Sequence, residues 1–198
     1  MIQTASGVQI PFPERIHEKY IADKDYIRFN ISFEKLEPLF RDFLDGLTEP
    51  LFLIVQVPLN QKEEDQLRQG EERKIHSEVL YLDGQTKKQV TDIIDTFGSI
   101  LFNDGMSRFG VASHSTGDEI FIQKYKIVDI YSKAIDRYAF LMNKYRIERT
   151  RSLITPWDTF SHEHPGRCSK ITMNHMDVYD VVEKLKERGM YRDKVVED

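Results

Sequence analysis

The stretch from Ser99 to Ser132, SILFNDGMSRFGVASHSTGDEIFIQKYKIVDIYS, constrains this chain more than any other. Ile100, Leu101 and Phe102 lead into Asn103-Asp104-Gly105. Asp and Gly tolerate the positive φ of a hairpin turn, so the expectation is a strand and then a turn. Phe109, Val111 and Ser113 next alternate with Arg108, Gly110 and Ala112. Ser115-Thr116-Gly117-Asp118 supplies a second turn signal. Ile120, Ile122 and the segment Tyr125–Tyr131 then read as further strands. Both parities of these strands are partly apolar, which predicts a central sheet covered on both faces. Two turns this close demand antiparallel pairing and exclude a purely parallel, doubly wound sheet.

The flanking sequence predicts the cover. Phe33, Leu36, Phe40, Phe43, Leu44 and Leu47 form one helical stripe after Ser32, a candidate N-cap, with Pro38 inside the pattern. Leu51–Leu59 reads as a buried strand closed by Pro58. Tyr26–Ile31 and Ile75–Leu82 are further strand candidates. Thr86-Lys87-Lys88-Gln89 has the form of a capping box. Val90, Ile93, Ile94 and Phe97 follow at helical spacing, with Gly98 as a natural C′ residue. A helix is also expected over about Glu14–Ile21, one over Lys133–Tyr145, and a last one capped by Asp177 and ended by Gly189. Residues 60–74, NQKEEDQLRQGEERK, form an exposed polar segment, either a loop or a frayed helix. Residues 155–172 read as a long loop and 191–198 as a mobile tail. The expected fold is a single α+β or mixed α/β domain. Its sheet is mainly antiparallel or mixed, with about four flanking helices.

Composition narrows function. The 198 residues carry a formal charge of −5, which disfavours general nucleic-acid binding and favours a basic partner. One cysteine, Cys168, cannot form an internal disulfide, which suits a reducing compartment. MIQTASGVQIPFP lacks the charged start and apolar core of a secretory signal, and no apolar run is long enough to span a bilayer. The expectation is a cytoplasmic protein.

No sequence signature of catalysis emerges. The glycines fit neither phosphate-loop pattern, so nucleotide binding is not expected, and Ser99, Ser107 and Ser113 lack a nucleophile-elbow context. Arg167 could lower the pKa of Cys168, but no signature pairs that thiol with a histidine. No catalytic residue and no cofactor are therefore assigned. The one metal-like group is His162-Glu163-His164, which on extended chain puts two rings on one face. A third ligand would come from His114, Asp118 or Glu119. This gives the alternative reading, a metal-dependent hydrolase using the His162/His164 loop. Arg146, Arg149 and Arg151, with the later Arg167, could bind phosphate or RNA, against the trend of the net charge. Asp104, Asp118, Glu119 and Asp158 fall in turns or in the long loop and are candidate partner-binding carboxylates. Trp157, the single tryptophan, is either a core plug or an interface anchor.

YLDGQT, a capped helix, LFNDGMSRFGVASHSTGDEIFIQKY and TPWDTFSHEHPG together give the chain a resemblance over its C-terminal two-thirds. It resembles the small cytoplasmic immunity proteins encoded beside bacterial polymorphic toxins. Those proteins are similar in size, acidity and single-domain build, and lack an active site. The resemblance implies a protein that binds and occludes a toxin domain, and the net charge adds the expectation that this toxin or enzyme has a basic surface. It carries no residue-by-residue assignment.

Overall fold

Period-2 alternation and one continuous apolar run build the strands of this chain, and 3.6-residue stripes build the helices that cover them. The structure is a computed structural model and describes residues 2–68 and 75–198. In chain order the strands are β1 (Val8–Gln9), β2 (Lys19–Asp23), β3 (Tyr26–Phe29), β4 (Leu51–Pro58), β5 (His76–Gln85), β6 (Arg108–Ser113), β7 (Glu119–Ile122), β8 (Val128–Tyr131), β9 (Glu148–Arg149), β10 (Arg167–Cys168) and β11 (Tyr191–Glu197). The α-helices are α1 (Phe33–Gly46), α2 (Gln61–Arg68), α3 (Lys87–Asn103), α4 (Ala139–Lys144) and α5 (Val178–Lys186).

Among the described residues, nine strands form one sheet in the order β11-β5-β4-β6-β7-β8-β3-β2-β9. Every neighbouring pair is antiparallel except β2–β9. A separate ribbon pairs β1 with β10. The expected α+β domain with a mainly antiparallel sheet is the fold observed. No helix among the described residues is long and apolar enough to cross a membrane.

The core lies on one face of the sheet. Leu53, Val55 and Val57 of β4, Phe109 and Val111 of β6, and Ile120 and Ile122 of β7 meet Leu36, Phe40 and Phe43 of α1. Ile93, Phe97 and Leu101 of α3, Leu141 and Met142 of α4, and Val181 and Leu185 of α5 complete it. Five residues of α1 are buried although Pro38 stands inside the helix. Pro38 forfeits one backbone hydrogen bond, at about 3 kcal/mol in a helix interior. Burying each large apolar side chain returns about 1.5–3 kcal/mol, so the stripe outweighs the proline.

Several sequence expectations change. Asn103-Asp104-Gly105 does not turn a hairpin. It ends α3, because Ile100 and Leu101 continue the stripe of Ile93, Ile94 and Phe97, and Gly98 lies inside the helix. The capping box at Thr86 and Gln89 forms as expected. So does the cap of α5 on Asp177, with Gly189 at φ 101° after its end. The helix expected over Glu14–Ile21 is a 3-10 turn at Pro13–Arg15 followed by β2. That expected over Lys133–Tyr145 shortens to a 3-10 turn and α4. Residues 191–198 are no mobile tail: β11 pairs along β5, and a bulge between Arg192 and Lys194 breaks the alternation that would have revealed it. The long loop contains a 3-10 turn, Pro156–Thr159, and strand β10. In the polar segment, α2 is tethered by the buried Glu64. Its carboxylate accepts from the His76 amide at 3.1 Å and from Arg68 at 2.9 Å. The rest of that segment, 69–74, lies outside the described residues.

Candidate functional site

Among the described residues no α-helix lies on the second face of the sheet, contrary to the expected double cover. Its central row is fixed by strand register: Tyr191, Tyr81, Ile54, Gly110, Phe121, Asp129, Arg28 and Ile21 stand side by side across eight strands. Phe121 lies over Gly110, where an added Cβ would sit 2.6 Å from its ring. The apolar side chains on this parity thus pack partly on their own sheet. Tyr81 touches Phe52 and Tyr191, Phe52 touches His114, and Tyr26 touches Tyr131, with ring centroids 4.5–6.4 Å apart.

Two buried carboxylates organise the polar end. Asp129 is wholly buried and accepts from Arg28 Nε at 2.7 Å and Nη2 at 2.8 Å, a bidentate pair. Tyr26 Oη and Gln123 Nε2 donate to it at 3.0 and 3.1 Å. Its carboxylate holds the Arg28 guanidinium above the usual arginine range, against the effect of burial. Asp198 brings its nearly buried carboxylate across from the far edge. It accepts from Arg108 and Lys124, each at 2.9 Å, and from Ser77 at 2.9 Å. Burial would raise the pKa of Asp198, but Lys124 and Arg108 hold it low. Between these networks lies a cleft of about 250 Å³ lined by Arg28, Arg108, Gln123, Lys124, Ile127 and Trp157.

Trp157 is no core plug. It is 51% exposed and meets Tyr125 and Phe160 edge-on or tilted. Asp158 stays at the surface, where the Thr155 amide and hydroxyl donate to it and keep its pKa low. Glu119 is half-buried on the helix-free face, and burial with the nearby Asp129 raises its pKa.

Two candidate carboxylates do not face solvent. Asp104 is fully buried and accepts the amides of Met106, Ser107 and Ile171 at 2.9, 2.8 and 3.1 Å. Asp118 is buried against Ser132, Thr116 and Arg137. Burial would raise its pKa, but these partners hold it low. Both carboxylates brace loops. They bracket β6, so they also lie at opposite ends of the sheet.

The histidines are not gathered. His114 contacts Asp83 at 3.1 Å and lies tilted against Phe52, whereas His164 lies against Phe12, and His162 is exposed in the loop. No group of three or more His, Cys, Asp or Glu among the described residues could hold a metal ion. The structure therefore does not bring His114, His162 and His164 together. Arg149 and Arg151 border one shallow hollow and Arg146 another, so these arginines build no common phosphate site. Cys168 is half-buried and its pKa is raised, chiefly by burial, despite nearby Tyr125 and lysines.

Arg28, Arg108, Gln123, Lys124 and Asp129 were not singled out in the sequence. A signal existed: Asp129 stands between Val128 and Ile130 in an apolar strand. A carboxylate there demands a cation at matching register.

Lys126 gives a pH-dependent prediction. It is buried, its Nζ donates to the Leu101 carbonyl at 3.2 Å, and burial pushes its pKa down to about 8 despite Asp104 and Cys168. In the unfolded chain the pKa is about 10.4. Between these values the unfolded chain holds a proton that the native form lacks, so stability from this group rises with pH and is lowest below about 8. The wild type should gain on the order of 3 kcal/mol relative to Lys126→Met between pH 7 and 10. Urea unfolding of both proteins across that range checks it, and a constant difference would refute the burial account.

Comparison of the chain with protein-family models, with curated proteins and with solved structures found no match.

Proposed function

We propose that this protein is a binding module of the immunity or regulatory kind, which occludes a protein partner with the helix-free face of its sheet. One observation carries this reading. The half-exposed aromatics Phe52, Tyr81 and Phe121 share a sheet face that no α-helix among the described residues covers. Rigid aromatic side chains held by a sheet lose little entropy on binding, which favours them as interface anchors. The carboxylates of Asp83 and Glu119 flank the band of Phe52, Tyr81 and Phe121, and they suit a partner with basic side chains at its rim. Asp104 and Asp118 drop out of that acidic set, and Asp158 stays at the Trp157 end. Trp157 stands at the lip of the same face as an anchor.

Site-specific photo-crosslinking tests the reading. A photoreactive phenylalanine analogue replaces Phe121 on the helix-free face or Phe140, which is 52% exposed on α4. In cells that make the protein naturally, position 121 should give one discrete protein adduct and position 140 none. Adducts at 140 alone would transfer the binding surface to the helices.

A further inference from the structure

We propose that the cleft beside Trp157 binds a phosphorylated small molecule with a planar ring, of the nucleoside monophosphate class. The inference goes beyond protein docking and does not depend on it. Arg28, Arg108 and Lys124 bring three cations to a space of about 250 Å³, in a protein whose formal charge is −5. Among the described residues, the only carboxylates that pair with them are Asp129 and Asp198, both beneath the cleft with side chains at most 3% exposed. One positive charge is therefore left uncompensated. Asp158, close in sequence to Trp157, does not cancel it, because its carboxylate is turned to Thr155.

The cations are also pre-positioned. Arg28 spends Nε and Nη2 on Asp129. Arg108 spends Nη2, and Lys124 a single N–H, on Asp198. The remaining guanidinium and ammonium N–H groups make no hydrogen bond among the described residues. Gln123 is likewise anchored to Asp129 and lines the cleft. Donors locked by buried acceptors lose little freedom when an anion arrives, and paired guanidinium and ammonium groups suit a phosphate. Trp157 supplies the other half of the site. Its ring neighbours meet it edge-on or tilted, so none stacks flat on the indole. A planar base can stack on that surface while its phosphate reaches the cations. The volume lies just below the range of drug-sized pockets, which fits a mononucleotide partly open to solvent.

Because Trp157 is the single tryptophan, its fluorescence reports on this cleft alone. Titration with AMP should quench it saturably in the submillimolar range. Adenosine and inorganic phosphate, each holding half of the contacts, should bind at least about tenfold more weakly. Lys124→Gln and Arg108→Gln should each weaken AMP about fivefold or more while leaving the melting temperature within about 2 °C. Asp198 keeps three of its four partners in either variant. Absence of saturable quenching by AMP, or quenching undiminished in both variants, overturns the proposal. Equal binding of AMP and adenosine also overturns it, because the phosphate would then contribute nothing.

Discussion

Arg28→Ala should cost about 3 kcal/mol or more in urea unfolding, the largest loss from removing a single charge on this face. The reason is its partner. Asp129 sits in β8 with no exposed surface, and two of its hydrogen bonds come from the Arg28 guanidinium. A surface ion pair is worth less than about 1 kcal/mol, so the exposed part of Arg28 is not what matters. What matters is the carboxylate left behind, dry and without its cation. Tyr26 and Gln123 still donate to it, which keeps the loss toward the lower end of the range for broken buried pairs. Adding Asp129→Asn to Arg28→Ala should recover most of the loss, because a neutral amide of similar shape removes the stranded charge. A single-variant cost below about 1 kcal/mol, or a double variant no better than Arg28→Ala, would contradict a structural role for the pair.

Gly105→Ala should be comparably damaging, for a steric reason. Three backbone segments cross at this point. Gly7 N–H donates to Asn103 at 2.8 Å, Gly105 N–H to Ser169 at 3.0 Å, and Ser169 N–H to Gly7 at 2.8 Å. A methyl on Gly105 would collide with the Gly7 carbonyl and come within 2.9 Å of the Ser169 nitrogen. Backbone cannot step aside as a flexible side chain can, so about 3 kcal/mol of destabilisation is expected, the upper end for overpacking. The disruption should start where the ribbon of β1 and β10 docks onto the end of α3, and limited proteolysis should cut first within residues 2–16 or 160–172. Gly46→Ala is the control. It has open space around its Cβ position and closes α1, so it should be neutral or stabilising by up to about 1 kcal/mol. Equal tolerance of both substitutions would show that the crossing is looser than its distances imply.

Much of the fold was legible because it follows from local rules. Thr86 with Gln89, and Asp177 with Gly189, mark helix ends through side-chain hydrogen bonds and backbone conformation, which short sequence spacings reveal. Leu51–Pro58 reads as a strand from its run of apolar residues. The end of α3 was not legible, because Asn-Asp-Gly suits a helix end as well as a hairpin, and only packing of Ile100 and Leu101 decides between them. The helix-free face was hidden by Phe121. An apolar residue on the second parity of β7 looks like a sign of cover, yet Gly110 lets the ring lie on the sheet itself. Asp104 and Asp118 look like solvent-facing turn acids, but each serves as an acceptor that closes a loop, and that role appears only once the distant donors Ile171 and Arg137 are in place. Arg28 and Lys124 carry no local signal of a site, because their meeting with Trp157 depends on strand order, to which residue spacing gives no access.

The central claim is that the face without helices is the face that binds. Crosslinking yield, mapped by position, measures this directly, with Tyr81 added to Phe121 on the sheet face and Phe140 marking the helical side. The account predicts the same adduct mass from positions 81 and 121, a yield that falls as salt screens the carboxylates of Asp83 and Glu119, and nothing above background at 140. An adduct at 140 with none at 81 and 121 would contradict it.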